Sequence, residues 1–238
     1  MPAVVEQMTL PNEEMLDHLP WYSLQTEHEK FAQAAGSARK YPEDVTPFAA
    51  TSDYSAQSMK ELATLLGPGE KTYLMGEAPS IVAGLVYGEV FPCLQMILLL
   101  SGQKLPKEDP AVSIVPLTNE DAPAMVELTN IAFPGFFRIR TCEMGTYFGI
   151  RTGNELVAMA GERMALPGYR EISGVCTHPA HRGKGYAVEL MARLMKEHAR
   201  AGMHSFLHVS SANTTAIPIY KKLGFTVRRE VLLYPVSR

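Results

Sequence analysis

The sequence is poor in cysteine and lacks an uninterrupted apolar run. Its three cysteines, Cys93, Cys142 and Cys176, are odd in number and form no C-x-x-C pair. That argues against a disulfide framework and suits a reducing, cytoplasmic setting. The first fifteen residues lack a basic patch followed by an apolar stretch, so no signal peptide is expected. The most lipid-like segment, residues 81–100, is interrupted by Gly84, Gly88, Glu89, Pro92 and Gln95. A spanning helix tolerates these poorly, and buried strands are expected instead. No low-complexity tract or internal repeat is present, which excludes solenoids and tail-like segments. Nor does either sign of charge dominate. The net charge of -3 points to neither nucleic acid nor a membrane surface.

What is present is an ordinary globular balance, 46% hydrophobic and 20% charged over 238 residues, enough for one large domain or two small ones. Residues 1–108 hold 7 Lys and Arg against 14 Asp and Glu, whereas residues 109–238 hold 15 against 11. An acidic half joined to a basic half suggests two units, with any anionic ligand on the second. Residues 101–110, polar and carrying two prolines, are the expected linker. This divides the chain into an N-terminal domain (1–100), the linker (101–110) and a C-terminal domain (111–238). In the first half a helix is expected at 24–35, a strand at 45–50, a helix at 56–66 stopped by Gly67, Pro68 and Gly69, and strands at 72–75, 82–90 and 94–100.

The second half is more clearly punctuated. A strand at 112–117 precedes cap residues Thr118 to Asp121 and a helix through Ile131. Strands at 147–151 and 156–164 flank the hairpin signal Thr152-Gly153-Asn154. A strand at 171–177 leads to an amphipathic helix over 183–201, ended by Gly202. A strand at 206–210, a short helix before Gly224 and a strand at 225–233 follow. The order predicts an α/β (α+β) layer with a mixed, mostly antiparallel sheet flanked by helices.

Chemistry concentrates at 175–187, where a strand runs through a glycine-rich turn into the long helix. Gly183 and Gly185 let successive N–H groups converge, the helix N-terminus adds its unpaired donors, and Arg182 and Lys184 add charge. Such a nest suits phosphate or pyrophosphate. It is not a P-loop, because Gly185 follows Lys184. Nor is it a dinucleotide fingerprint, because Val188 stands where the third glycine belongs. Cys176, His178 and His181 give a C-x-H-x-x-H spacing, but with no fourth ligand evident the expectation is no metal.

The pattern Arg182-x-x-Gly185-x-Ala187 resembles the acyl-CoA loop of the GNAT superfamily of N-acetyltransferases. Asn213-x-x-Ala216-x-x-x-Tyr220-x-x-Leu223-Gly224-Phe225 is similar to that family's second cofactor segment, and the likeness runs from about Val112 to Leu233. Residues 144–149 and 158–164 further resemble the subgroup akin to glycine N-acyltransferase. The resemblance implies acetyl-CoA as co-substrate. Val175, Cys176 and Thr177 would pair with the pantetheine arm, and Gly183, Lys184, Gly185, Tyr186, Ala187 and Val188 would hold the pyrophosphate. Asn213 would contact pantetheine or fix the neighbouring backbone, and Tyr220 would sit beside the thioester sulfur. Glu171 matches the place where some members carry a general base, and Glu162 on the neighbouring strand competes with it.

The implied reaction is acetyl transfer to an amine by direct attack, Glu171 taking a proton and Tyr220 giving one to the departing thiolate. The partner is an amine-bearing acceptor, either a small molecule or a peptide N-terminus or lysine, and a homodimer is compatible. A rival from another class is a non-catalytic acyl-CoA sensor on the same fold. The first half allows a degenerate second copy of that fold, without the cofactor loop, that packs on the catalytic half and walls the acceptor site.

Overall fold

The computed structural model describes residues 12–100, 106 and 108–238. The first half runs α1 (Leu19–Ser23), β1 (Gln33–Ala35), β2 (Ala38–Lys40), β3 (Ala49–Thr51), α2 (Ala56–Leu65), β4 (Lys71–Gly76), β5 (Val86–Tyr87) and β6 (Phe91–Leu98). The second runs β7 (Val115–Leu117), α3 (Ala122–Ala132), β8 (Tyr147–Thr152), β9 (Glu155–Leu166), β10 (Tyr169–Thr177), α4 (Tyr186–Arg200), β11 (His204–Ser210), α5 (Ala216–Lys222) and β12 (Thr226–Ser237). No helix among the described residues is long and apolar enough to cross a membrane.

Two sheets form among the described residues. One is small, in the order β1-β2-β3. The other has nine strands in the order β4-β12-β6-β11-β10-β9-β8-β7, with β5 also on β12. All pairings in the large sheet are antiparallel except β10 with β11. The mixed, mostly antiparallel sheet therefore stands as expected.

The division into two domains does not. Strand β6, from the first half, lies between β11 and β12 of the second, pairing Leu207 with Met96 on one side and Val227 with Met96 on the other. One hydrogen-bonded sheet crosses the expected boundary, and the clusters on its two faces each bury residues from both halves. The N-terminal half contributes β4, β5 and β6 to that sheet rather than building a second large sheet of its own. The expected linker falls mostly on 101–105 and 107, outside the described residues.

The helix expected at 24–35 is also replaced. The chain turns after Ser23, with His28 N–H donating to the Ser23 carbonyl, and continues to β1. Buried His28 is drawn into the core, where Nε2 donates to the Met144 carbonyl at 3.0 Å and Nδ1 lies 3.1 Å from the Tyr41 hydroxyl. Tertiary bonding here outweighs local helix propensity. The strand expected at 82–90 shrinks to Val86–Tyr87, because Gly84 turns the chain at φ +86°.

Helix α4 behaves as its spacing demands. Leu190, Met191, Leu194, Met195 and His198 are buried against the sheet, and the core they join includes Ile172, Leu207 and Val209. The opposite face of the sheet carries a second core, with Phe48, Cys93, Phe206 and Leu233. Both clusters span the line where β10 meets β11, one on each face.

Candidate active site

Strands β10 and β11 pair only from Tyr169 to Glu171 and His204 to Phe206, then separate. A register shift between Ser173 and Cys176 inserts one extra residue into β10 opposite β9, and Gly174 takes up the kink at φ +64°. Such a bulge bends its strand and leaves ladder groups unpaired. A cleft of about 770 Å³ opens between the diverging strands, lined by 172–177 of β10 and 207–210 of β11. It reaches both faces of the sheet. The N-terminus of α4 and Tyr220 of α5 line one end, and Phe48, Met75, Phe91, Phe136 and Leu233 line the other.

The turn before α4 forms the mouth of the first end. Gly183 and Gly185 adopt φ +80° and +79°, the left-handed region that side chains with a Cβ avoid. A Cβ at either would meet nothing within 4 Å, so the turn faces open space. The backbone N–H groups of Gly183, Lys184, Gly185, Tyr186 and Ala187 donate to no described residue. Five consecutive free donors at a helix N-terminus make a site for an anion with several oxygens. Arg182, Lys184 and Val188 complete this lining.

Val175, Cys176 and Thr177 line the cleft along β10, on the side β11 has left, where an extended ligand can add as a strand does. Asn213 lines it as well, and its Oδ1 accepts from Ala216 N–H at 3.0 Å, capping α5. That cap lets α5 begin at Ala216 despite Pro218, whose missing N–H falls in the first turn. Tyr220 faces the cleft from α5, and its hydroxyl bonds to no described residue. Burial pushes the phenol up to about 12, so it carries its proton at neutral pH.

The candidate bases lie elsewhere. Glu171 is fully buried and does not line the cleft. A register shift between Arg170 and Ile172 places residues of β9 in excess opposite Glu171. Arg163 Nη2 and Nε donate to its carboxylate at 2.6 and 3.0 Å, Met164 N–H at 3.1 Å and His208 Nδ1 at 2.8 Å. Burial alone would raise this carboxyl, but the Arg163 charge and these hydrogen bonds hold it well below the usual carboxylate range. A carboxylate so placed does not touch the cleft and has little proton affinity. The expectation that Glu171 is the general base is corrected on that ground.

Glu162 is no substitute. It accepts from Thr146 N–H at 2.8 Å and lies 2.9 Å from His198 Nε2, on the α4 side and outside the cleft. Burial raises its carboxyl, and the bonds from His198 and Thr146 more than offset that. His178 Nδ1 accepts from Ala180 N–H at 3.2 Å, and burial pushes the Cys176 thiol up to about 12. No metal-holding cluster of three His, Cys, Asp or Glu occurs among the described residues.

Sequence reasoning missed Arg163, His208 and the aromatic end of the cleft. The loop over 133–137 carried a signal in its three phenylalanines. Phe136 lies 4.8 Å from Tyr73, 6.0 Å from Phe48 and 6.3 Å from Phe91 between ring centroids, bridging the two halves over the cleft.

Residues 147–233 match the FR47-like protein family. A solved structure assigned as a GNAT-family acetyltransferase, from Novosphingobium aromaticivorans, is 33% identical. The match covers 94% of this chain and 98% of that one, with a TM-score of 0.84. An L-methionine sulfoximine/L-methionine sulfone acetyltransferase from Salmonella typhimurium is 35% identical over 86 residues, 35% of this chain and 48% of the relative. A mycothiol acetyltransferase from Corynebacterium glutamicum is 36% identical over 84 residues, 34% of this chain and 28% of the relative. The matched stretch thus spans about half or less of these curated relatives.

Proposed function

The chain belongs to the GNAT family of acetyltransferases, and from that premise we propose that it transfers acetyl from acetyl-CoA to an amine by direct attack. The observation that carries this reading is the cleft between β10 and β11, with five free N–H groups at its mouth and a protonated phenol on its wall. Acetyl-CoA supplies an activated acyl group as a thioester. Its pyrophosphate suits the N–H groups of Gly183 to Ala187, with Arg182 and Lys184 adding charge. Its pantetheine amides suit the open edge of Val175, Cys176 and Thr177.

The amine nitrogen bonds to the carbonyl carbon as the carbon–sulfur bond breaks, and the surplus proton on that nitrogen leaves to water. The Tyr220 hydroxyl gives its proton to the leaving sulfur and regains one from solvent. A positioned acid of this kind contributes roughly 10²–10⁴-fold. Glu171 serves as a positioning residue that fixes Arg163 and His208 beneath the cleft, and the N-terminal half walls the acceptor end. Both curated relatives are acetyltransferases by name, which supports turnover over mere sensing. The test is coenzyme A calorimetry together with free-thiol release from acetyl-CoA in the presence of amines. Binding with thiol release supports the transferase, binding without release with any amine supports the sensor, and absence of binding overturns both.

A further inference from the structure

We propose that the acceptor is a weakly basic amine on a flat aromatic body, which meets the thioester already neutral. This deepens the acetyl-transfer reading and rests on it.

No aspartate or glutamate lines the cleft among the described residues. The titratable and charged groups that do are Arg163 from β9, His208 from β11, Cys93 from β6, Cys176 from β10 and Tyr220 from α5, with His181, Arg182, Lys184 and Tyr186 around the nest. An ammonium entering this space finds no anionic partner. It meets instead the Arg163 guanidinium, whose own counter-charge, Glu171, lies behind it. Desolvating an unpaired cation costs far more than desolvating a neutral amine.

Away from the turn before α4, the cleft also offers no group to strip a proton from an ammonium. Burial pushes the Cys93 thiol up to about 11 and the Cys176 thiol and Tyr220 phenol up to about 12, so all three are already protonated. Both His208 nitrogens are engaged, Nδ1 by Glu171 at 2.8 Å and Nε2 by the Gln95 amide at 3.1 Å. His181 belongs to the turn at the cofactor end. An amine that is neutral in solution needs no such group.

The shape of the acceptor end indicates what carries that amine. Phe48 and Phe136 stack at 24° between planes, and Phe91 stands edge-on to Phe136 at 73°. The Arg163 guanidinium lies 4.6 Å from the Phe48 centroid. A flat ring entering here gains apolar contact and presents its electron-rich face to a cation.

The test compares p-toluidine with its isomer benzylamine, equal in size but much more basic, and with spermidine. At pH 7, kcat/KM for p-toluidine is expected to exceed that for benzylamine by about tenfold or more, with spermidine lowest. The benzylamine value is expected to climb about tenfold per pH unit from pH 7 to 9 as its neutral fraction grows, while the p-toluidine value stays level. Phe136→Ala is expected to raise KM for p-toluidine about tenfold with coenzyme A affinity unchanged. Preference for spermidine or benzylamine at pH 7, an unchanged KM in Phe136→Ala, or no turnover of any of the three by a protein that binds coenzyme A overturns this acceptor class. Failure to bind coenzyme A overturns the underlying reading instead.

Discussion

Two hydrogen bonds, 2.6 and 3.0 Å long, join the Arg163 guanidinium to the Glu171 carboxylate across β9 and β10. The acidic member is wholly buried and the basic member faces the cleft. Glu171→Gln leaves the largely buried Arg163 side chain without its counter-charge. Such a loss costs about 3–5 kcal/mol, to be read from urea denaturation. The pH profile of kcat/KM should keep its shape, because this carboxylate takes no proton from the acceptor. Disappearance of the acidic limb in the mutant would restore Glu171 as the base.

Tyr220→Phe keeps the ring on the cleft wall and removes only the hydroxyl. A fall in kcat of roughly 10–1,000-fold is expected, with coenzyme A affinity nearly unchanged. Single-turnover kinetics beside calorimetry separate the two. Unaltered chemistry would mean that the thiolate leaves unassisted.

Gly185→Asp puts a negative side chain into the nest, at a backbone φ of +79°. Coenzyme A should bind at least about tenfold more weakly, equivalent to about 1.4 kcal/mol. The open space around that position should leave the circular dichroism spectrum intact. Wild-type affinity in this variant would move the pyrophosphate elsewhere.

His28 sets an acid limit to stability. Burial lowers its pKa to about 4, only partly countered by the bond to Met144. The unfolded chain therefore takes up the proton first, from about pH 6.5 downward. Stability is full above that pH and declines as pH falls toward 4, by about 3 kcal/mol in all. Glu171 and Glu162, both depressed, extend the decline below the unfolded carboxylate range near about 4.3. In His28→Gln, the denaturation midpoint should slope less between pH 6.5 and 5, with buried His204, also lowered by desolvation, keeping a residual decline. An unchanged slope would assign the effect to another group.

Features with a local cause were legible in the sequence. The capping box of Thr118 and Asp121 forms at the expected helix start, Gly153 turns the hairpin, and Gly183 and Gly185 shape the nest. Distant pairings were not legible. Nothing in residues 91–98 announces that both neighbours of that strand come from the last 35 residues of the chain. Arg163 meets Glu171 only because of a one-residue register shift, which alternation of apolar and polar residues does not encode. The burial of Glu171 was not legible because its partners, Arg163 and His208, arrive from two other strands. The aromatic end was hidden for the same reason, since Phe48, Phe91 and Phe136 come from three separate stretches.

The place of β6 between β11 and β12 bears on how the chain must fold as it is made. Leu98 waits for Ser205, and Phe91 for Leu233, so a central strand is synthesised more than a hundred residues before either neighbour. Until then its backbone donors and acceptors are open on both edges, and its apolar side chains Cys93, Met96, Ile97 and Leu98 lack their core. Contacts this distant slow folding through loop closure, and an unpaired apolar edge can recruit other nascent chains. On a ribosome the sheet closes only when β12 emerges, and protection of β6 up to that moment falls to whatever meets the growing chain.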